Sequence, residues 1–277
     1  HMEYPFASPD GPITYWPALP AAPWSLAKGV ADIGFDACST VSNHTQDEGP
    51  DGIKNLLDAL DTYGLAHAGT ARTEEEADRI TTVDVKGVRI ALLAYSWGLY
   101  DNGFAWMTKS NDLEAMVADA QRARDEGAQI VIVNLHDGEE GVTAPDASQL
   151  EIAQRLADEG TVDLIVGQHT HCVQPVEKIG EMWVAFGHGN LLTAQDRKDP
   201  RTADGLVTRW TFAPDETGRW RIIDAAGIAI EAQDWPFRII DVSALGTTRD
   251  DAQQASWDRT YDAVMSMGAG LSGFRML

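Results

Sequence analysis

The sequence is poor in cysteine. Among its 277 residues only Cys38 and Cys172 carry a thiol, and they form no C-x-x-C spacing. Two thiols are too few for a disulfide framework, and they lack the spacing typical of a cysteine metal site. Because free cysteine is among the most buried residue types, we expect both to be small core side chains rather than ligands.

Basic side chains are also scarce. Lysine and arginine number 21 against 43 aspartates and glutamates, which gives a formal net charge of -22. Such a charge disfavours attraction to nucleic acid and to an anionic membrane surface. No nucleic-acid partner is therefore expected, and the carboxylates are typical of a solvated acidic surface.

Long apolar runs are absent, and so is a charged-then-apolar leader at the start of the chain. A membrane-spanning helix needs roughly eighteen or more consecutive apolar residues. The sequence therefore predicts no membrane insertion and a cytoplasmic location, with anchoring at the cell surface by an upstream segment as the alternative. Without a repeat or linker, we predict one domain over residues 1–277, of which 231–277 form a C-terminal extension.

The chain alternates between helical and strand-like patterns. A helix over residues 52–63 is indicated by Ile53, Leu56, Leu57 and Leu60 at helical spacing. Residues 80–85 and 88–96 read as two strands joined at Lys86-Gly87, and residues 129–135 form a β-branched run typical of a buried strand. This alternation predicts an α/β fold.

Histidines follow the ends of several predicted strands. Of seven histidines, five lie there: His44, His136, His169, His171 and His188. The carboxyl edge of an open α/β sheet is where such proteins assemble their sites, and imidazole is the commonest protein ligand for first-row metals. The sequence therefore indicates a histidine-rich metal site.

The H-x-H pair is the most informative single element. On an extended segment His169 and His171 would point to the same side, and Gly167 before them permits a tight turn. The pair is therefore a candidate for two ligands of one metal ion or of two adjacent ions.

Four motifs in order resemble the CapA-type branch, associated with poly-γ-glutamate and capsule synthesis, of the calcineurin-like metallophosphatases. The resemblance runs from about residue 3 to beyond residue 190. The family's N-N-H-x-x-D-x-G, H-W-G-x-E, G-x-H-x-H-x-x-Q and G-N-[FL] elements are similar to residues 42–49, 136–140, 167–174 and 189–191.

This resemblance implies a four-layer α-β-β-α sandwich holding one or two divalent ions, with Mn, Zn, Fe and Ca as candidates. The implied ligands are Glu3, Asn43, His136, His169 and His171. His44 would act as a general acid or base, and Asp47 would orient it.

The chain departs from the family pattern in three places. It contains no upstream strand ending in Gly-Asp, whose aspartate binds metal in the family, so the domain is expected to lack its N-terminal strand as given. Asp137 and Gly141 stand where relatives carry aromatic residues. His188 adds an imidazole where relatives usually have an apolar side chain.

The leading functional inference from the resemblance is a metal-dependent enzyme acting on a peptide-like substrate that bears carboxylates, such as a γ-glutamyl polymer. Arg72 is a candidate clamp for such a carboxylate, with a plain surface arginine as the alternative, and Glu140 is a second candidate substrate contact. One alternative is an epimerase similar to those of lasso-peptide biosynthesis, exchanging an α proton through His44 and His188. The others are a phosphoesterase and a noncatalytic scaffold of polymer export.

Overall fold

A computed structural model describes residues 1–11, 21–193, 195, 198–233 and 236–277. The chain divides into two units, His1–His136 and Asp137–Leu277. The single-domain boundaries and the four-layer arrangement stay predictions.

The first unit combines short helices with largely parallel strands. Its helices are α1 (Trp24–Asp32), α2 (Gly49–Thr62), α3 (Glu74–Ala77) and α4 (Leu113–Asp125), with a short 3-10 turn at Ala105–Met107. Its strands are β1 (Ala37–Ser39), β2 (Ala66–Ala68), β3 (Thr81–Val85), β4 (Val88–Ser96) and β5 (Ile130–Asp137).

Parallel pairing in this unit brings strand ends to common edges. β1 runs parallel to β2, and β4 runs parallel to β5 with Ser96 opposite His136. β3 and β4 form the predicted antiparallel hairpin, which turns at Lys86 and Gly87. Both turn residues have positive φ, 56° and 83°, as a two-residue hairpin turn requires.

The core of the first unit forms around α2. Ile53, Leu56, Leu57 and Leu60 are all buried, which confirms the predicted apolar face. Leu56 and Leu60 pack with Met2, Phe6 and Cys38, whereas Ile53 and Leu57 pack with Met107. Burying each of these side chains contributes roughly 1.5–3 kcal/mol, so α2 anchors the loops on both of its sides.

The second unit is richer in strands. Its helices are α5 (Ala147–Glu159), α6 (Val242–Leu245) and α7 (Asp251–Met265), and 3-10 turns lie at Pro200–Ala203, Gly246–Thr248 and Ala269–Ser272. Its strands are β6 (Leu164–His169), β7 (Val176–Ile179), β8 (Met182–Ala185), β9 (Asp204–Pro214), β10 (Trp220–Gln233), β11 (Arg238–Asp241) and β12 (Arg275–Met276).

Two strand groups make up the second unit. β6 runs parallel to β8, which pairs antiparallel with β7. The long β9–β10 hairpin is extended by antiparallel β11 and by parallel β12. The rings of Trp183, Trp210 and Phe274 lie with centroids 5.7–6.1 Å apart and join the two groups.

The α/β class is thus confirmed. Among the described residues, no helix is long and apolar enough to cross a membrane. Cys38 and Cys172 are buried and unpaired with each other, and burial raises the pKa of both thiols, so the expectation of buried small side chains is confirmed.

Candidate metal and catalytic site

A tight turn after β1 presents Asn43 and His44. The backbone N–H of Ser42 donates to Thr45 Oγ1 at 2.6 Å, and the N–H of His44 donates to Ser42 Oγ at 3.0 Å. The Thr45 hydroxyl in turn donates to the carbonyl of Thr40 at 3.2 Å. Short Ser and Thr side chains therefore fix this loop from within, which is the usual reason for their presence in turns.

Asn43 meets His136 although 93 residues separate them. His136 Nε2 lies 2.9 Å from Asn43 Oδ1. His136 is 2% exposed, and its ring centroid lies 4.7 Å from that of His1. Two predicted ligands of the first unit are therefore neighbours in space.

His44 has the surroundings of an oriented acid or base. Its Nδ1 lies 2.8 Å from Asp47 Oδ2, and its ring centroid lies 4.9 Å from that of Tyr4. In the neutral tautomer in which Nδ1–H donates to the carboxylate, Nε2 carries the lone pair. The contact between Asp47 and His44 is the one that the predicted orienting role requires, and the catalytic roles themselves stay predictions.

Glu3 belongs to a segment that lies along the end of β1. The N–H of Met2 donates to the carbonyl of Ser39 at 2.9 Å, and the Ser42 hydroxyl donates to the carbonyl of Glu3 at 2.5 Å. The predicted ligand Glu3 is therefore adjacent to the loop of Asn43 and His44. We call Asn43, His44, Asp47 and His136 the Asn43–His136 cluster.

Arg72 is occupied by carboxylates of its own unit. Its guanidinium donates to both carboxylate oxygens of Glu76, at 3.1 and 2.6 Å, and to Asp58 at 2.7 Å. Asp61 Oδ2 lies 2.7 Å from the same Nη1. The hydrogen bond to Glu76, with Asp58 and Asp61 adding, raises the pKa of the guanidinium further above its usual value. To act as the predicted substrate clamp, Arg72 would have to give up these partners.

In the second unit, hydrogen bonds hold the loop that follows β5. Asp137 accepts from the Ser148 hydroxyl at 2.7 Å and from the N–H of Gly138 at 2.9 Å. Gly141 donates to the carbonyl of Thr170 at 2.8 Å, which ties this loop to the H-x-H turn. The predicted substrate contact Glu140, solvent exposed, precedes that tie directly.

His169 is the last residue of β6 and His171 lies beyond the strand, so the pair does not lie on one extended segment and that part of the prediction is wrong. Their φ angles are 97° and 53°, in a region that non-glycine residues rarely occupy. The left-handed backbone turns the chain at the end of β6, yet the rings remain near each other, with centroids 6.4 Å apart. Strain of this kind costs about 1–3 kcal/mol per residue and is concentrated at functional sites.

Asn190 orients His171. Its Oδ1 lies 2.9 Å from His171 Nδ1, and its amide nitrogen donates to the carbonyls of His171 and Thr202 at 3.3 and 3.0 Å. Since Nδ1–H donates to Asn190, Nε2 is the lone-pair nitrogen of His171. We call His169, His171 and Asn190 the His169–His171 cluster.

His188 is held through both ring nitrogens. Nδ1–H donates to the carbonyl of Gly167 at 3.0 Å, and Nε2 accepts from the Thr208 hydroxyl at 3.0 Å. Burial lowers the pKa of this imidazole below its usual value, only partly opposed by the Gly167 carbonyl, and so favours the neutral ring. Its predicted catalytic role would require one of these hydrogen bonds to break.

Two glutamines near the His169–His171 cluster were not assigned a role from the sequence. Gln149 Nε2 donates to Gln174 Oε1 at 2.9 Å, and Gln174 Nε2 donates to the carbonyls of Val142 and Ala144, both at 3.0 Å. Both glutamines are buried. The Asp146-x-x-Gln149 capping box was the sequence signal for Gln149, and the H-x-H-x-x-Q motif was the signal for Gln174.

The donor atoms fit a divalent transition metal, which favours imidazole with oxygen ligands. Asn43 Oδ1 and His136 Nε2, which lie 2.9 Å apart, would be the ligand atoms that these two motifs offer to such an ion. Within the described ranges, no group of three or more His, Cys, Asp or Glu side chains is placed to hold an ion.

Comparisons with known proteins place these motifs in a family. Residues 1–195 match the family described as bacterial capsule synthesis protein PGA_cap. The capsule biosynthesis protein CapA of Bacillus anthracis is 26% identical over 211 residues, which cover 74% of this chain and 50% of that protein. The PGA biosynthesis protein CapA of Bacillus subtilis (strain 168) is 28% identical over 202 residues, covering 70% and 52%.

Among solved structures, the calcineurin-like phosphoesterase YfkN from Bacillus subtilis aligns with a TM-score of 0.49 at 14% identity, covering 86% of this chain and 72% of that one. The chain spans about half the length of the curated CapA relatives that it matches.

Fold and motifs thus define an α/β protein of the CapA-like class. The chain belongs to the bacterial capsule synthesis PGA_cap family, which confirms the resemblance.

Proposed function

We propose that the chain is a metal-dependent enzyme that acts on a peptide-like substrate bearing carboxylates. The observation that carries the proposal is the 2.9 Å contact between Asn43 Oδ1 and His136 Nε2, because it joins two of the family's motifs across 93 residues. The names of the CapA relatives, one of which is a PGA biosynthesis protein, support a γ-glutamyl polymer as the substrate.

Both clusters, with Glu3, are proposed to supply metal ligands: Asn43 and His136 from the first unit, His169 and His171 from the second. A bound divalent ion supplies Lewis acidity and lowers the pKa of a water molecule. Asp47 holds the His44 ring, so His44 Nε2 can take a proton from a nucleophile or return it to a leaving group.

Hydrolysis is the favoured reaction class, because one oriented histidine is sufficient for it. Proton exchange at an α carbon requires two acid–base groups on opposite faces of the substrate. His188, the second group in that alternative, already uses both ring nitrogens in hydrogen bonds.

Metal content tests the first half of the proposal. Purified protein, stripped by a chelator, dialysed and reloaded with Mn²⁺ or Zn²⁺, is expected to retain stoichiometric metal, whereas His136→Ala and His169→Ala should each retain far less. His67→Ala is the matched control, because His67 bonds Asp61 and belongs to neither cluster. Equal metal retention by all four proteins would show that His136 and His169 are not ligands, and absence of bound metal from the parent protein would favour a noncatalytic scaffold.

The reaction is tested by incubating the metal-loaded protein with an oligo-γ-glutamyl peptide in deuterated water. Cleavage products in the mass spectrum are the expected result. An intact peptide that gains one mass unit would indicate proton exchange, and the reaction would then be epimerisation rather than hydrolysis. Turnover of an aryl phosphate without either change would identify a phosphoesterase instead.

Asn190 is expected to strengthen metal binding by orienting His171. An Asn190→Ala variant loses the acceptor of His171 Nδ1–H, and loss of such an orienting contact typically weakens metal affinity about 10- to 100-fold. Affinity is measured by competition with a chromogenic chelator, and Asn102→Ala on an exposed loop serves as the control. If Asn190→Ala binds metal as tightly as the parent while His171→Ala does not, Asn190 has no orienting role.

A further inference from the structure

A cavity of about 470 Å³ lies in the first unit, beyond the end of β2. Its floor is a short backbone pairing, in which Ala71 N–H donates to the carbonyl of Met107 at 2.8 Å and Lys109 N–H donates to the carbonyl of Gly69 at 3.0 Å. Because these contacts are between backbone atoms, the floor is fixed by the fold rather than by side-chain rotamers.

The walls of the cavity are held in place as well. Thr70 Oγ1 lies 2.7 Å from Thr40 Oγ1, and the Thr81 hydroxyl donates to the carbonyl of His67 at 2.8 Å. Gly69 has a φ of 113°, and a Cβ there would come within 2.6 Å of Val41 Cγ1. The cavity is therefore preformed, as ligand pockets usually are.

The lining is unusually basic for this chain. Its charged side chains are three basic residues, Arg72, Arg79 and Lys109, and two acidic ones, Asp61 and Glu76. In the whole sequence acidic residues outnumber basic ones 43 to 21. Basic side chains outnumber acidic ones in this lining, which favours an anion there although the net charge of the chain is -22.

Arg72 is not the group that would receive the anion, because Glu76, Asp58 and Asp61 already surround its guanidinium. Arg79 differs, since its exposed guanidinium makes no hydrogen bond or ion pair with any residue that the structure describes. Lys109 Nζ has one carboxylate, Asp119, at 3.2 Å.

The charge of Lys109 is only partly compensated by that carboxylate. Asp119 also accepts from Arg122 at 2.8 Å and from the Tyr95 hydroxyl at 3.0 Å, so its two oxygens serve three donors. Lys109 therefore keeps donor capacity for a ligand. Trp106, whose side chain lines the same cavity and is 41% exposed, adds an aromatic surface at the rim.

We propose that this cavity binds a small organic anion, whose carboxylate or phosphate group is held by Arg79 and Lys109 while its apolar part lies against Trp106. The site is separate from the proposed metal ligands but belongs to the same strand edge, because Ser96, paired with His136, donates its N–H to the carbonyl of Lys109 at 3.0 Å. The proposal goes beyond the metal chemistry and does not depend on it.

Binding is tested on metal-free protein from which the chelator has been dialysed, so a failure of the metal proposal leaves this result unaffected. Glutarate, benzoate and inorganic phosphate are titrated by calorimetry at low salt, with glutaramide as a neutral probe. We expect at least one anion to bind at 1:1 stoichiometry and glutaramide to bind at least tenfold more weakly. Glutarate or benzoate binding without phosphate binding assigns a carboxylate ligand, and the converse assigns a phosphate ligand.

Charge-removing variants locate the site. Arg79→Gln and Lys109→Gln should each weaken binding of the best anion about tenfold, the loss of one charge-assisted contact. Lys109→Arg, which keeps the charge, should bind the anion with an affinity within a few-fold of the parent's. Lys54 is an exposed lysine on α2 outside the cavity, so Lys54→Gln should have the affinity of the parent. Trp106→Ala should weaken benzoate more than phosphate.

The proposal is overturned if no anion binds, if glutaramide binds as well as glutarate, or if Lys54→Gln weakens binding as much as Lys109→Gln. Each variant is first shown to unfold at the parent's urea midpoint. If Lys109→Gln shifts that midpoint, the anion affinities of Lys109→Arg and Arg79→Gln are compared instead, and the proposal requires Arg79→Gln to bind more weakly than Lys109→Arg.

Discussion

A Gly167→Ala variant is expected to lose about 3 kcal/mol or more of folding free energy. A Cβ at this position would overlap the carbonyl group of Phe186 and would lie 2.9 Å from the carbonyl oxygen of Ala185. Both obstacles are backbone atoms of the segment that pairs with β6, so the overlap cannot be relieved by a side-chain rotation. The loss is measured as a shift of the urea unfolding midpoint.

Gly270→Ala is the matched control in the same unit. A Cβ there would meet only Met265 Sδ, at the ordinary contact distance of 3.5 Å. We expect this variant to unfold near the parent's midpoint. If Gly167→Ala unfolds at the same urea midpoint as Gly270→Ala, β6 and β8 can move apart to admit the Cβ, contrary to their packing in the structure.

Gly167→Ala is also expected to disturb the candidate site, through His188 and the segment that leads to Asn190. The carbonyl of Gly167 accepts from His188 Nδ1–H at 3.0 Å and from the His188 N–H at 3.2 Å. Separation of the strands would break this double contact and move the segment that leads to Asn190. The glycine of the G-x-H-x-H motif is therefore explained by close backbone approach next to the proposed ligands.

The sequence predicted the longer regular elements of the first unit because their local signals were strong. The Lys86-Gly87 turn lies where it was expected, and α2 has the predicted apolar face but begins earlier, at Gly49, because Pro50 is well suited to a first helical turn. β2 and β7 were missed. Each has three or four residues, too few for a period to be recognised.

Motifs indicated the candidate site residues, but they did not give their geometry. The contact of Asn43 with His136 follows from tertiary folding across 93 residues, which no local period encodes. The H-x-H geometry was predicted wrongly because alternation assumes extended backbone, whereas both histidines have positive φ. The three carboxylates around Arg72 come from α2 and α3, so its occupancy could not be read from the Gly69–Arg72 stretch alone.

The loop that carries Asn190 depends on a buried ion pair behind it. The N–H of Asn190 donates to the carbonyl of Asp204 at 3.3 Å. The Asp204 side chain, 4% exposed, accepts from Arg259 at 2.7 and 2.8 Å and from Ser256 at 2.6 Å. α7 therefore holds the start of β9 against which the Asn190 loop rests.

An Arg259→Met variant is expected to lose about 3 kcal/mol of folding free energy, because it leaves the buried carboxylate of Asp204 without its cation. The expected loss lies at the lower end of the range for broken buried pairs, because Arg259 is itself one-third exposed. Urea unfolding measures the loss. The double variant Arg259→Met/Asp204→Asn should recover part of it, because the amide is neutral and can still accept from Ser256.

Arg275→Met provides the matched control, since Arg275 pairs with Asp224 on the exposed surface of the same unit. Surface pairs contribute little, so its midpoint should stay close to the parent's. If Arg259→Met and Arg275→Met lose equally little folding free energy, Ser256 and solvent are sufficient to stabilise the Asp204 carboxylate. The support that α7 gives to the Asn190 loop is then not electrostatic. If Arg259→Met is the less stable of the two variants, it should also bind metal less tightly. The loop that carries Asn190, which orients His171, would then lack the support of the Arg259–Asp204 ion pair.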